Sequence, residues 1–333
     1  MKILFLIKKN NNYGITTEVS PSKSGLKNSA QFVVDGIGHF PNVDAYLEVC
    51  VDANEIDKFL HKYRPNICVI EAIWVTPTKL AELIDLHPHI KFVIRIHSRE
   101  PFLAMEGNAI EWIREYANIA TVSFNHKQTS ADMLLLGIHN TYLPNIYPLV
   151  KYCGSPFRHK QHLYKIGCFG AIRPFKNQLS QAVAAILFAD ARKSVVHFYI
   201  NGTRVEQRGD SVLKNLRALF SGTRHKLIET GWLTHDEFLN LAKKMDACMQ
   251  VSFTETFNIV TADCISQHVP VVVSAAIDWL DMKKADPNNV FDIANTLDYV
   301  IKNREAVVED SIEDLNEYSN AARTRWFRFL HRD

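Results

Sequence analysis

The chain has 333 residues, 47% of them apolar and 22% charged, and a formal net charge of +2. That composition is ordinary for a soluble globular protein with ample core material. The length suggests two domains at about 100–200 residues each. The charge excludes a polybasic tail, although a local basic patch acts without a large total. Six cysteines (Cys50, Cys68, Cys153, Cys168, Cys248 and Cys264) form no Cys-x-x-Cys pair. They read as reduced core residues in a cytoplasmic protein.

In chain order, "KILFLI" reads as a buried first strand, too short for a signal sequence or a membrane span. A polar loop follows, then "SAQFVVDGIGHF" with helical spacing and Ser29 as its cap. Strand "AYLEVCV", helix "ANEIDKFLHKY" and strand "NICVIEAI" come next. Helix "TPTKLAELIDLH" opens on Thr76 and Pro77. Strand "KFVIRIH", one helix over "PFLAMEGNAIEWIREY", strand "IATVSF" and helix "HKQTSADMLLLGI" lead to "TYLPNIY". The aperiodic segment 151–164 reads as a linker between a first domain, 1–150, and a second, 165–310. The second repeats the alternation, from strand "KIGCFGAI" to strand "PVVVS", and a helical tail follows. Short β-branched strands alternating with helices predict parallel sheets covered on both faces. The fold class is α/β, with two Rossmann-like doubly wound domains facing a cleft, the natural place for a ligand.

Several chemistries are missing. No G-x-G-x-x-G follows the first strand, no Walker pattern or G-x-S-x-G elbow occurs, and no His/Cys/Asp cluster has metal spacing. The site prediction therefore contains no metal and no cofactor apart from a donor substrate. In "CFGAIRPFKNQ" a strand ends near Gly170, and Arg173 and Lys176 precede a helix starting near Asn177. Two cations beside helix N–H groups suit a phosphate or diphosphate, and two solvated surface cations fit as well. In "ETGWLTHDEF", Gly231, Trp232 and Leu233 precede a helix capped by Thr234 with Glu237. That turn either faces a nucleobase or simply joins strand to helix. In "TETFNIVTADC", Glu255 is taken at a helix mouth and Asp263 in the third turn, roughly 12 Å apart at 1.5 Å per residue. The spacing fits sugar hydroxyls on either side of a diphosphate facing the N–H groups of Phe257, Asn258 and Ile259. A capping Glu and a surface Asp fit it too.

In this order and spacing the three segments resemble the nucleotide-sugar-binding domain of glycosyltransferases of the GT-B fold, most closely family 4. The motif residues are Gly170/Arg173/Lys176, Gly231 and Glu255/Asp263. The resemblance implies that Arg173 and Lys176 hold the diphosphate, Glu255 the transferred sugar and Asp263 the ribose. It also matches Gly25, in "SGLKNSAQFVVDGI", to the glycine turn after the first strand, and His97 to an active-site histidine near the donor sugar. The first domain is then the acceptor side, and 311–333 a last helix packing back toward it. The implied activity is retaining transfer of a hexose or pentose from a UDP-sugar, or a GDP-sugar, to an acceptor hydroxyl. The first half resembles phage and bacterial enzymes, which points to a hydroxylated base in DNA as acceptor, with a saccharide or protein open. The alternatives are a nucleotide-sugar epimerase and a non-catalytic binding module. Asp263 in place of Glu, and Thr256 and Asn258 where the family has glycine, depart from its pattern.

Overall fold

The computed structural model describes residues 1–9, 25–153 and 162–331. They divide into two compact units, Met1–Pro148 with Glu317–Asp333, and Leu149–Asn316. Most of the polar loop before the first helix, and 154–161 of the segment read as a linker, lie outside the described residues.

The first unit runs β1 (Lys2–Lys8), α1 (Gly25–Ile37), β2 (Asp44–Cys50), α2 (Glu55–Tyr63), β3 (Ile67–Glu71) and α3 (Pro77–Leu86). It continues with β4 (Lys91–Ile96), α4 (Glu100–Leu103), α5 (Ala109–Ile119), β5 (Thr121–Phe124), α6 (Lys127–Leu135) and β6 (Thr141–Tyr142). The strands form one sheet in the order β2-β1-β3-β4-β5-β6, parallel throughout. Alternation along β1 explains its two coats, because neighbouring side chains leave a strand on opposite faces. Leu4 and Leu6 join Ile56, Leu60, Leu80 and Ile113 in one core. Ile3 and Phe5 join Val33 and Ile37 of α1 and Ala322, Trp326 and Leu330 of the last helix in the other.

Two local expectations change. Helix α1 starts at Gly25, so Ser29 is a buried residue inside it rather than its cap. The single helix expected over "PFLAMEGNAIEWIREY" is split into α4 and α5 around Gly107, whose φ of 52° is left-handed. The Thr76 cap is formed, with its hydroxyl accepting from Lys79 N–H at 3.2 Å.

The second unit begins with β7 (Leu163–Gly167), a 3-10 turn (Pro174–Lys176), α7 (Gln178–Ala191), β8 (Val195–Asn201), α8 (Asp210–Phe220) and β9 (Lys226–Thr230). Then come α9 (His235–Ala242), β10 (Ala247–Gln250), α10 (Ile259–Ser266), β11 (Val271–Val273), α11 (Val290–Lys302) and α12 (Arg304–Leu330). Helix α12 crosses the division, and its residues from Glu317 onward belong to the first unit. The parallel sheet has the order β11-β10-β7-β8-β9. Strand order reverses between β7 and β10. Open α/β sheets bind ligands just beyond the carboxyl ends of strands at such a switch point. Five of the six cysteines are buried and all six are unpaired, with Cys153 exposed.

Candidate functional site

The loops leaving β7 and β10 meet at the switch point of the second sheet. Gly170 has φ +109°, which a residue with a Cβ adopts only under strain, and a Cβ there would lie 3.6 Å from Lys176 Cε. Lys176 closes the 3-10 turn, and Asn177 follows in the left-handed region (φ 54°) to start α7. Buried amides stitch the two loops together. Gln181 donates to the Lys176 carbonyl at 2.8 Å and accepts from Val251 N–H at 2.9 Å. Asn177 donates to the Val251 carbonyl at 3.2 Å, and Phe253 N–H donates to the Phe175 carbonyl at 2.9 Å.

This stitching brings the Lys176 ammonium to 2.6 Å from Glu255 Oε1, with both side chains under 10% exposed (9% and 8%). At this distance the ammonium and the carboxylate form a direct, charge-assisted pair. Burial pushes Lys176 below the usual lysine range; Glu255 opposes the shift and nearby Arg173 adds to it. Among the described residues, the buried hydroxyls of Ser252 and Thr254 in the same loop have no hydrogen-bond partner.

Arg173 is half-buried, its guanidinium 3.6 Å from Glu206. Arg204 donates to the same carboxylate at 2.5 Å and lies 4.4 Å over the Trp232 ring. The loops after β7, β8 and β9 therefore form one wall ending at Trp232. The expected capping box of α9, Thr234 with Glu237, is formed. Gly231 has neither a positive φ nor a neighbour within 4 Å of a Cβ built on it, so neither backbone nor packing demands glycine there. Trp232 and Leu233 are half-buried beside it.

Helix α10 differs from the sequence expectation. It starts at Ile259, so Glu255 lies four residues before it and Asp263 in its second turn. A helical rise therefore does not measure the distance between the two acids. Asn258 has a left-handed backbone (φ 55°) and its side chain accepts from Thr261 N–H at 3.0 Å. Asparagine tolerates that conformation and caps the helix, which explains how it stands in a position where glycine is expected. Phe257 is buried and stacks on Trp279 at 5.4 Å, and the Trp279 indole donates to its carbonyl at 2.7 Å.

Asp263 is 3% exposed and its carboxylate is 2.8 Å from His235 Nε2. Sequence reading missed His235; its only signal was its place as the first residue of a helix that packs on α10. The hydrogen bond to Asp263 raises the His235 pKa, and burial only partly opposes it. A raised folded pKa adds stability that is full below the unfolded value of about 6.5 and fades as pH climbs through the folded one. His235→Gln should therefore cost more stability at pH 6 than at pH 9 in urea unfolding. An equal loss at both would mean the contact is not a charged pair.

His97 belongs to the first unit and follows β4. Its Nε2 contacts Glu71, the last residue of β3, and Asn125 Nδ2 donates to its Nδ1 at 3.1 Å. Arg95 and Glu71 are both 0% exposed, and Arg95 Nη1 bonds both carboxylate oxygens at 3.1 and 3.0 Å. Arg95 also donates to the Leu143 carbonyl at 3.0 Å and to Asn145. Burial lowers the His97 pKa, and the neighbouring Glu71 carboxylate pulls the other way. Glu71 is itself held below the carboxylate range, since Arg95 and His97 outweigh its burial. The sequence marked His97 alone, because Glu71 and Arg95 lie inside apolar strand runs. Gly25 opens α1, and the turn before it is outside the described residues.

No protein-family model and no curated protein sequence matches the chain. Solved structures do. OtsA in its apo form superposes with a TM-score of 0.69 at 10% identity, over 100% of this chain and 99% of that one. Sucrose-phosphate synthase from Thermosynechococcus elongatus gives 0.67 at 10% identity, over 99% and 98%. Staphylococcus aureus TarM, in complex with fondaparinux, alpha-GlcNAc-glycerol and UDP, gives 0.64 at 15% identity, over 83% of this chain and 58% of that one. The chain has the GT-B fold. Both halves of the sheet pattern predicted from the sequence are therefore accounted for by this fold. At these identities the match speaks for the fold alone. Among the described residues, no helix is long and apolar enough to cross a membrane.

Proposed function

We propose that the chain is a glycosyltransferase that moves a sugar from a nucleoside diphosphate sugar to an acceptor hydroxyl with retention of configuration. The observation that carries this reading is the buried Lys176–Glu255 pair beyond β7 and β10, beside a glycine fixed by its backbone. A diphosphate meets Lys176 and Arg173 there and supplies negative charge that Glu255 and Glu206 provide in its absence. Glu255, released from Lys176, accepts hydrogen bonds from hydroxyls of the transferred sugar. Asp263, oriented by His235, receives the ribose hydroxyls. The open face at Gly231, with Trp232 and Leu233, takes the base, and the N–H groups of Phe257, Asn258 and Ile259 face the phosphates.

In the reaction the bond from the anomeric carbon to the phosphate oxygen breaks, and the acceptor oxygen bonds that carbon on the same face. The departing phosphate oxygen takes the acceptor's proton. Arg173 and Lys176 stabilise the charge developing on the leaving group. His97, held by Glu71 and Asn125, orients the sugar. UDP is the preferred nucleotide and GDP the second candidate. The acceptor we propose is a hydroxylated base in DNA, modified in the cytoplasm. It rests on the likeness of the first half to phage enzymes and on the exposed Arg325 and Arg328 of α12.

The test is incubation of the chain with UDP- and GDP-sugars and DNA carrying hydroxymethylated bases, with the product followed by proton NMR. A glycosylated base with the donor's anomeric configuration is expected. An inverted product would contradict the front-face route, and transfer only to saccharides or protein would reassign the acceptor.

A further inference from the structure

A second cluster lies in the first unit, away from the carboxyl ends of the strands. Asp57 and His61 are one turn apart on α2, and His87 terminates α3 just before β4. Their ligand atoms all lie within 4.8 Å of one another. His87 Nε2 is 2.7 Å from Asp57 Oδ1, and His61 Nε2 is 3.6 Å from the same oxygen. The two imidazole rings are 5.1 Å apart, edge to face. The group escapes sequence inspection because the ligands are contributed by two helices, 30 positions apart between Asp57 and His87.

We infer that Asp57, His61 and His87 bind one divalent transition-metal ion, with zinc the best match to two imidazoles and a carboxylate. Zinc bonds such ligands at about 2.0–2.2 Å, and a tetrahedral ion then holds them about 3.3 Å from each other. The two contacts to Asp57 straddle that separation, so a small swing of the exposed His61 completes the geometry. Its side chain is 72% exposed, whereas that of His87 is 7% exposed and fixed. One rigid buried ligand, one half-exposed carboxylate and one mobile surface ligand make an open site with water in the fourth position. His87 is the anchor because its position is set twice. Its N–H donates to the Leu83 carbonyl at 3.0 Å, and its own carbonyl accepts from Ile90 N–H at 3.0 Å. A bound ion would join α2 to the α3–β4 turn at the amino ends of β3 and β4. That is the opposite edge of the sheet from Glu71 and His97, so the ion would brace the unit without touching the proposed chemistry.

The test is calorimetric titration of the metal-stripped full chain with zinc chloride, with a thermal melt as second readout. One equivalent is expected to bind, and at about 100 times the dissociation constant the melting point should rise by about 5–10 °C. His61→Ala removes a surface side chain, so it should fold normally and bind zinc at least about ten-fold more weakly. Asp57→Asn should do the same, and His89→Ala, which changes a neighbouring exposed histidine, should not. Absence of uptake by the wild-type chain would overturn the inference. So would unchanged binding by His61→Ala, which would place the ion on other histidines of the surface.

Discussion

Lys176→Ala is expected to lower sugar-transfer turnover by about 10²–10³, the usual loss when one preorganised donor to a developing anion is removed. The structure adds a second consequence. Because the Lys176–Glu255 pair is buried, removing the lysine alone leaves a carboxylate without its ion-pair partner, at a cost of about 3–5 kcal/mol. The two effects separate in a double variant. Lys176→Met with Glu255→Gln removes both charges, which is often neutral for stability. It should recover most of the lost unfolding free energy and none of the activity. A chain that is folded, stable and inactive would mark the pair as functional. Near-normal turnover by either variant would remove it from the mechanism.

Glu71→Ala should destabilise the first unit by about 3–5 kcal/mol, because it strands the Arg95 guanidinium between β3, β4 and Trp326. Arg95 keeps the Leu143 carbonyl, Asn145 and a 3.4 Å contact to His97 Nε2, none of which supplies a negative charge. The variant also removes the carboxylate partner of His97 Nε2. The measurement is urea unfolding followed separately for each unit, with tryptophans substituted so that Trp326 reports the first. Loss confined to the first unit is expected. A change below about 1 kcal/mol would mean that water or movement reaches Arg95, and that the cluster is not the rigid support assigned to His97.

The architecture was readable because parallel strands buried on both faces are nearly continuous apolar runs, and "KILFLI", "NICVIEAI" and "KFVIRI" are such runs. Of the motif glycines, Gly170 has a backbone that demands glycine and Gly231 does not. What stayed hidden has a common physical cause. Glu71 and Arg95 satisfy each other across strands β3 and β4, His235 and Asp263 across α9 and α10, and Asp57 and His87 across 30 positions. Spacing along the chain carries no trace of such pairs. The misplaced mouth of α10 has a different cause. Asn258, in a left-handed conformation, is the cap, and the segment before it is extended loop, although its composition continues the apolar run of the helix. The break between α4 and α5 at Gly107 likewise depends on one residue's φ rather than on hydrophobic period.

The most direct test of the central claim is calorimetric titration of UDP and GDP, and of their sugars, into the wild-type chain and into Lys176→Met/Glu255→Gln. Saturable binding of one equivalent to the wild-type chain is expected, with affinity for the diphosphates at least about ten-fold weaker in the double variant. Equal affinity in both proteins, or no binding of any of these nucleotides to the wild-type chain, would contradict it.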